Sequence, residues 1–271
     1  MKSMKIGKMK PIERNTVCKM LQFSNLGKCC NIFHFVTTRH GGVSKGTYAF
    51  LNPGEYSGDD LNHVVQNRKI ICENTPLREE RIYVPYQVHE AEIFCIDADF
   101  STLSPEQQKQ LLYGKDALIT NVPDICIGVT TADCVPVLIY APDKQVAAIH
   151  AGWRGTVKQI VHKTILQLVE QFHCDPSQLI AGIGPSISKK SFEVGEEVLE
   201  TFYDSGISMD GVWERDLKTG KVHIDLWEIN RRQLTNAGLL PEHIEMAEIC
   251  TYQQHEDLRR HMFLYSLLHD G

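Results

Sequence analysis

Two apolar runs separated by a short polar segment form the clearest hydrophobic pattern in this chain. Residues 135–141 (VPVLIYA) and 145–149 (QVAAI) have the length and composition of buried strands, and residues 142–144 (PDK) between them are typical of a tight turn. The pattern predicts a β-hairpin, in which the start of the first strand lies beside the end of the second. Cys134 and His150 flank this hairpin, so we expect them to be close in space.

The remaining periodicities predict strands and helices along most of the chain. Short or alternating apolar runs predict strands at residues 32–38, 82–88, 116–120, 125–131, 178–183, 221–225 and 244–250. Apolar residues on one face predict helices at residues 61–74 and 156–172, and a cap followed by proline predicts a short helix after Ser104. Further helices are expected at residues 192–203 and 226–237. Asp60 and Thr156 are the expected N-caps of two of these helices, and Gly238 is the expected end of the last. Because consecutive strands outnumber alternating strand–helix units, we expect an α+β fold with mixed β-sheets flanked by helices.

Composition favours one cytoplasmic domain. The 271 residues, 42% of them hydrophobic, fit a single catalytic domain over residues 21–271 behind a flexible N-terminal tail at 1–20. A net charge of −6 argues against nucleic-acid binding, and no apolar run approaches the roughly 18 residues of a membrane span. Nine cysteines without C-x-x-C spacing are typical of a reducing compartment.

The residues that flank the hairpin are the first candidates for chemistry. A thiol and an imidazole held together form either half of a metal site or a nucleophile with its base. His89 follows the predicted strand at 82–88 and is a candidate third group. Two histidines and one cysteine would leave zinc one open position, as in catalytic sites. From spacing alone, a hydrogen-bonded histidine at the end of a strand is the alternative that stays open.

Five sequence blocks carry a resemblance to a known family. They lie at residues 37–44 (TTRHGGVS), 51–52 with 58–60, 87–89 (QVH), 130–136 with 150–155 (TTADCVP and HAGWRG), and 182–187 (GIGPSI). Together they resemble the laccase-domain family, whose members are described as polyphenol oxidases, as purine nucleoside phosphorylases with adenosine deaminase activity, and as peptidoglycan-editing factors. The resemblance implies a cysteine-hydrolase-like α+β fold and a zinc ion bound by His89, Cys134 and His150.

The C-terminal segment departs from the family pattern. The family typically continues its late Cys-Thr pair with Phe-Ser-x-Arg-Arg, whereas here Cys250 and Thr251 are followed by residues 257–263 (DLRRHMF). The contribution of this segment to a pocket is therefore open, and neither Arg259 nor Arg260 is assigned to the site.

The family resemblance also implies a substrate class. It indicates phosphorolysis of purine nucleosides (adenosine, inosine, guanosine or methylthioadenosine), with adenosine deamination as a second reaction and with the nucleoside and phosphate as small-molecule partners. Zinc lowers the pKa of bound water to about 7, which suits attack on C6 of a purine. Asp133, next to Cys134, is the candidate for proton transfer. Its alternative role is that of a strand-end cap or a partner of a ligand histidine.

Four further residues are candidates for substrate and phosphate binding. Arg39, beside glycines 41–42, could supply charge and free backbone N–H groups to a phosphate. Arg154 could add to an anion site at the start of the following helix. Asn52 and Gln87 are candidates for contacts to the base or the ribose. The alternatives are surface salt bridges for the two arginines and hydrogen bonds to loop backbone for the two amides.

Three other functions remain as alternatives. A copper-dependent polyphenol oxidoreductase would use the same histidines and cysteine, but no two of the twelve histidines are spaced H-x-H and no methionine lies near residues 134–150. A cysteine hydrolase, such as an amidase that edits peptidoglycan precursors, would use Cys134 as nucleophile and His150 as base without metal. A non-enzymatic binding protein has no supporting pattern in the sequence. We expect a monomer or a weak dimer that binds neither nucleic acid nor membrane.

Overall fold

The computed structural model describes residues 8–12, 18–142, 145–254, 258 and 261–267. Its strands are β1 (Lys10–Pro11), β2 (Met20–Gln22), β3 (Ile32–Thr37), β4 (Ile82–Tyr83), β5 (Ile93–Ile96), β6 (Ala117–Thr120), β7 (Cys126–Thr131), β8 (Val135–Ala141), β9 (Gln145–Ala151), β10 (Ile180–Ile183), β11 (Glu193–Val194), β12 (Trp213–Arg215), β13 (Val222–Ile224), β14 (Ile244–Met246) and β15 (His261–Leu267). Its α-helices are α1 (Leu61–Glu73), α2 (Pro105–Leu112), α3 (Trp153–Val157), α4 (Ile160–Phe172), α5 (Glu196–Asp204) and α6 (Leu226–Asn236).

The strands form two large mixed sheets and one small sheet. The first large sheet has the order β1-β2-β3-β15-β7-β4, in which β4 runs parallel to β7. The second has the order β14-β10-β8-β9-β6-β5, with β14 parallel to β10 and β5 parallel to β6. The small sheet is β11-β13-β12. The expected α+β class with mixed sheets flanked by helices is confirmed.

The hairpin β8–β9 lies at the centre of the molecule and is buried on both faces. Val137 and Ile139 point to a core shared with Ile165 of α4, whereas Leu138 and Tyr140 pack in the core between the two large sheets. This double burial explains why the hairpin reads as a continuous apolar run rather than an alternating one. On the outside of the first sheet, α1 covers a third core. The layers are therefore helix, sheet, sheet and helix.

Some predicted boundaries are confirmed. Asp60 caps α1 by accepting a hydrogen bond from the Asn62 amide at 2.8 Å. Ser104 opens α2 with a capping box to Gln107. Gly238 follows α6 with φ of +104°, a left-handed conformation that favours glycine.

The predicted helix at 156–172 is wrong at its start. The chain forms the short helix α3 from Trp153, then breaks at Gln159, whose φ is +58°, before α4 begins at Ile160. Thr156 is not the cap. It is buried inside α3, where its hydroxyl accepts a hydrogen bond from the Asn230 side chain at 3.0 Å. Packing against α6 therefore determines the conformation here, and local capping preference does not.

The predicted strand at 82–88 is also too long. It ends at Tyr83, because Pro85 has no N–H to donate and the following residues bend into the loop that carries His89. The predicted helix at 192–203 begins at Glu196, since residues 193–194 pair with β13 instead. The predicted strand at 244–250 ends at Met246. Strands β1, β2, β5, β11, β12 and β15 were not predicted from the sequence.

Part of the predicted N-terminal tail joins the first sheet, because Lys10 and Pro11 pair with Gln22 and Leu21. Residues 1–7 and 13–17 lie outside the described residues, so for them the flexible tail stays a prediction. Residues 143–144 of the predicted turn, and residues 259–260, lie outside them as well. Among the described helices, none has the length and apolar character to cross a membrane.

Candidate metal centre and active site

Three predicted residues come together at one end of the second sheet. Strand pairing places Pro136 opposite His150, so Cys134 lies beside the end of β9 as the hairpin predicts. One ligand atom each from His89, Cys134 and His150 lies within 4.8 Å of the others. The two imidazole rings meet edge to face, with their centroids 4.8 Å apart. The Thr131 hydroxyl donates to the Cys134 carbonyl at 2.6 Å and closes the turn that leads from β7 into β8.

His89 reaches this cluster from a loop in a left-handed backbone conformation, with φ of +64°. Such a conformation is uncommon for a residue other than glycine and has to be stabilised by its surroundings. The stabilising group is Asp116, which accepts the His89 amide at 3.0 Å and the Glu90 amide at 2.8 Å. The loop is thereby held with the His89 imidazole beside Cys134.

The same Asp116 carboxylate orients His150. It is fully buried and lies 2.8 Å from His150 Nδ1, which donates to it. Burial alone would raise the pKa of Asp116, but the hydrogen bonds from His150 and from the Glu90 and His89 amides lower it below the ordinary value. With Nδ1–H committed to Asp116, the Nε2 lone pair of His150 is available to Cys134 or to a metal.

Sequence reasoning missed Asp116. A usable signal was present, because an aspartate directly before the largely apolar strand β6 would be buried and therefore needs partners. The sequence does not say which partners those are, since the histidine lies 34 residues away.

The cluster polarises the Cys134 thiol. Burial by itself would raise its pKa, but hydrogen bonding and charge from His150 and His89 lower it to about 6. Burial would lower the pKa of His150, whereas Asp116 and Cys134 raise it to about 9. The pair therefore has the character of a thiolate beside an imidazolium at neutral pH.

The cluster opens into a pocket of about 370 Å³. Its walls are formed by the 52–57 loop, the 85–89 loop and the 130–134 turn, and it is lined by Asn52, Pro53, Gly54, Tyr56, Ser57, Pro85, Gln87, His89, Thr130, Thr131, Ala132, Asp133, Cys134 and His150. A cavity of this size falls within the roughly 300–1,000 Å³ range that is typical of small-molecule sites.

Three more of the predicted residues line this pocket, each with a hydrogen bond to the protein. Gln87 donates to the Thr130 carbonyl and accepts the Thr130 amide, both at 2.8 Å. The side-chain amide of Asn52 donates to Ser57 Oγ at 2.8 Å. Asp133 is exposed and accepts from the Thr251 hydroxyl at 2.8 Å, a contact that sequence reasoning also missed.

The two predicted arginines lie elsewhere. The guanidinium of Arg39 donates to the Ala49 carbonyl and lies over the Phe50 ring, 5.7 Å from its centroid. Arg154 is exposed on α3 and stacks over Trp153 at 4.4 Å. Neither arginine is among the residues that line the pocket.

The donor set fits a zinc ion. Imidazole nitrogen and thiolate sulfur are the ligands that zinc prefers, and its bond lengths place tetrahedral ligand atoms about 3.3–3.6 Å apart. The three atoms lie within 4.8 Å, so small side-chain rotations bring them to that spacing. Gly152 leaves room for this, because a Cβ at that position would lie 3.1 Å from Cys134 Sγ and 3.3 Å from His89 Cδ2.

The chain is similar to known proteins over most of its length. A purine nucleoside phosphorylase from Bacteroides thetaiotaomicron is 45% identical over 242 residues, which cover 88% of this chain and 89% of that protein. Adenosine deaminase RL5, from an unknown prokaryotic organism, is 34% identical over 82% of this chain and 84% of its own length. The crystal structure of YlmD from Geobacillus stearothermophilus superposes with a TM-score of 0.85 at 27% identity, covering 97% of this chain and all of that one.

The family model described as "multi-copper polyphenol oxidoreductase laccase" matches residues 33–262, which include all three residues of the cluster. This match spans most of the chain, and the chain therefore belongs to the laccase-domain family.

Proposed function

We propose that this protein is a zinc-dependent purine nucleoside phosphorylase that also deaminates adenosine. The observation that carries the proposal is the cluster of His89, Cys134 and His150 in a pocket of ligand size. The proposed substrate class rests on the 45% identity to a protein named purine nucleoside phosphorylase. A cytoplasmic location and a monomeric or weakly dimeric state belong to the same proposal.

His89, Cys134 and His150 would hold the zinc ion, and Asp116 would keep His150 and the His89 backbone in place. When bound, zinc supplies Lewis acidity in the pocket. The low pKa of the Cys134 thiol suits this role, because a cysteine ligand has to be deprotonated.

Phosphorolysis requires the pocket to bring two substrates together. A phosphate oxygen forms a bond to C1′ of the ribose, the C1′–N9 bond breaks, and the purine leaves with the bonding electron pair and takes up a proton. Asp133 lies on the pocket wall and is our candidate for moving that proton. Arg39 and Arg154 remain candidates for phosphate binding, and Asn52 and Gln87 for contacts to the nucleoside.

Deamination uses water in place of phosphate. Water adds at C6 of adenosine and ammonia leaves, which gives inosine. The same pocket can serve both reactions, because the purine and the ribose are common to them, and Asp133 is again the candidate for proton transfer.

An assay with and without phosphate tests the proposal. Zinc-loaded protein is incubated with adenosine, and the products are separated by chromatography. We expect adenine and ribose 1-phosphate only when phosphate is present, and inosine whether or not it is present. The proposal would be overturned if zinc-loaded protein released no free base from adenosine, inosine or guanosine and formed no inosine from adenosine.

A cysteine hydrolase is the second candidate, and one observation favours it. Cys134, His150 and Asp116 form a chain of the kind that nucleophile, base and orienting carboxylate form in cysteine hydrolases. An amidase acting on peptidoglycan precursors is the activity that this arrangement would support. Elemental analysis of the active protein separates the two candidates, because the hydrolase would be active without bound metal. The same measurement distinguishes zinc from copper, the weaker candidate metal.

A further inference from the structure

Three exposed tyrosines form a row that begins inside the pocket. Tyr56 contacts Tyr86 edge to face with ring centroids 4.7 Å apart, and Tyr86 stacks on Tyr113 at 4.8 Å with 12° between the ring planes. These three residues are 46%, 36% and 62% exposed, respectively. Tyr56 lines the pocket that holds the candidate metal ligands. The row therefore presents aromatic surface to whatever enters the pocket.

The loop that carries Tyr56 is held by hydrogen bonds and ion pairs of the residues that precede and follow Tyr56 in sequence. Asn52 donates to Ser57 Oγ at 2.8 Å and to Asp59 Oδ2 at 3.0 Å, which closes the loop around Tyr56. Glu55, the preceding residue, is ion-paired with Lys109 of α2 at 2.8 Å and with Arg68 of α1 at 3.4 Å. A ligand that stacks on Tyr56 would thus meet a surface that is already ordered, which lowers the entropy cost of binding.

The backbone of Tyr86 is also held by hydrogen bonds. Its amide donates to the Leu112 carbonyl at 3.2 Å, and its carbonyl accepts the Gly114 amide at 2.9 Å. The ring behind Tyr56 is therefore anchored to the end of α2 and does not depend on the ligand for its position.

Tyr56 is the one aromatic side chain, apart from His89 and His150, among the described residues that line the pocket. If both imidazoles bind a metal, Tyr56 is left as the surface for a flat ring. Its neighbours in the pocket wall include Pro53, Gly54 and Pro85, which carry no long side chain that would compete for the space.

We propose that Tyr56, backed by Tyr86, is the surface on which the purine ring of the substrate stacks. The inference rests on the proposed function, because it takes the ligand to be a purine nucleoside. Stacking of a base on an aromatic side chain accepts any purine, since every base has a π face. Tyr56 would thus favour aromatic bases as a class, with selection among purines left to polar groups of the pocket.

Substitutions at Tyr56 test this role through substrate affinity. We expect Tyr56→Ala and Tyr56→Leu to raise KM for inosine and adenosine about tenfold, in line with the usual effect of removing one stacking side chain. The value of kcat should change less than about twofold, because the stack is present in both the ground state and the transition state. Tyr56→Phe should restore KM, since it keeps the ring.

Tyr203→Ala is the matched control. Tyr203 is 52% exposed and also contacts one aromatic ring, Trp213, but it lies on α5 and does not line the pocket. Zinc content and thermal unfolding are measured for every variant, so that a change in KM can be separated from a change in the fold. A KM that is the same in Tyr56→Ala, Tyr56→Leu and wild type overturns the inference.

A binding measurement separates this inference from the proposed function. The probe is 2-aminopurine riboside, whose fluorescence is quenched when the base stacks on an aromatic ring. We expect wild type and Tyr56→Phe to quench it on binding and Tyr56→Leu to bind it weakly without quenching. If the wild type turns over no purine nucleoside but quenches the probe through Tyr56, the proposed function fails and the stacking role stands. Equal quenching by Tyr56→Leu, or no binding of the probe to wild type, overturns the stacking role.

Discussion

Asp116 connects the backbone of one candidate ligand to the side chain of another. Its carboxylate accepts the amides of His89 and Glu90 and the Nδ1–H of His150, and it is fully buried. Each of these hydrogen bonds involves a charged acceptor, so each is stronger than a bond between neutral groups. The relative position of His89 and His150 therefore depends on this one side chain.

We predict that Asp116→Asn lowers zinc affinity about 10- to 100-fold, the range found when partners of metal-binding histidines are replaced. The amide nitrogen of asparagine cannot accept a hydrogen bond, so at least one of the four donors to this side chain, which include the Val88 amide at 3.3 Å, loses its partner. Zinc affinity is measured by competition with a chelator, and Asp124→Asn, at an exposed turn, is the control. Equal zinc affinity in Asp116→Asn and wild type would contradict the role assigned to Asp116.

His34 is a second buried residue with a measurable consequence. Its Nε2 accepts the Phe23 amide at 3.0 Å, which requires that nitrogen to be unprotonated. Burial lowers the pKa of His34 to about 4. In the unfolded chain the residue has an ordinary pKa of about 6.5. Between these two values the unfolded state binds more protons than the folded state, so stability falls as the pH falls.

We predict that the free energy of unfolding of the wild type drops by about 2 kcal/mol between pH 7 and pH 5 because of His34. The measurement compares the wild type with His34→Gln by denaturant unfolding at both pH values, and the difference between the two proteins isolates this residue. His173→Asn, at an exposed histidine, serves as the control. The same pH dependence in His34→Gln as in wild type would show that His34 is not the cause.

At the scale of elements, hydrogen bonds from helix α1 hold the 52–57 loop, which forms one wall of the pocket. Asn67, which is fully buried, donates to the Asn52 carbonyl at 3.0 Å and to Ser44 Oγ at 2.8 Å, and it accepts the Val43 amide at 2.9 Å. Arg68, the next residue in the helix, donates from Nε to the Pro53 carbonyl at 3.0 Å. The loop that forms one wall of the pocket is thus attached to a helix that packs on the first sheet.

We predict that Asn67→Ala destabilises the protein by about 2–4 kcal/mol, because it leaves buried polar groups without partners. Asn62→Ala is the matched control, since Asn62 lies on the same helix but is exposed. The free energy of unfolding of both variants is measured with denaturant. A cost below about 0.5 kcal/mol for Asn67→Ala, similar to that of a surface substitution, would contradict this support role.

Elements with a strong local signal could be predicted from the sequence. The hairpin β8–β9 and the helices α1, α2 and α6 have apolar patterns or caps that tertiary contacts do not override. The break between α3 and α4 could not be predicted, because Gln159 takes a left-handed conformation that no local preference of glutamine favours. The end of β4 could have been placed better, since Pro85 interrupts the alternating pattern.

At the scale of the whole molecule, the site forms where the chain crosses between the two large sheets. Strand β7 belongs to the first sheet and β8 to the second, and the turn between them carries Asp133 and Cys134. His150 comes from the end of β9, while His89 comes from a loop that precedes β5. Hairpin geometry predicts that Cys134 and His150 are neighbours. His89 was only a candidate from its place after a predicted strand, and its role as a ligand came from the family resemblance, because no local pattern relates residues 45 positions apart.

The order of strands in the sheets is also beyond sequence patterns. Strand β15 inserts between β3 and β7, although it follows them by more than 120 residues. Such pairing is decided by the burial of whole faces, which single-sequence periodicity does not contain. The expected fold class was nonetheless correct, because it depends only on the numbers and sequence of predicted elements.

The central claim is that Cys134 holds a zinc ion on which nucleoside turnover depends. Elemental analysis of wild type, Cys134→Ala and Cys30→Ala, paired with the adenosine and phosphate assay, tests it most directly; Cys30 is an exposed cysteine that does not line the pocket. We predict about one zinc per chain and full turnover in the wild type and Cys30→Ala, and loss of both in Cys134→Ala. Unchanged zinc content and unchanged turnover in Cys134→Ala would contradict the claim.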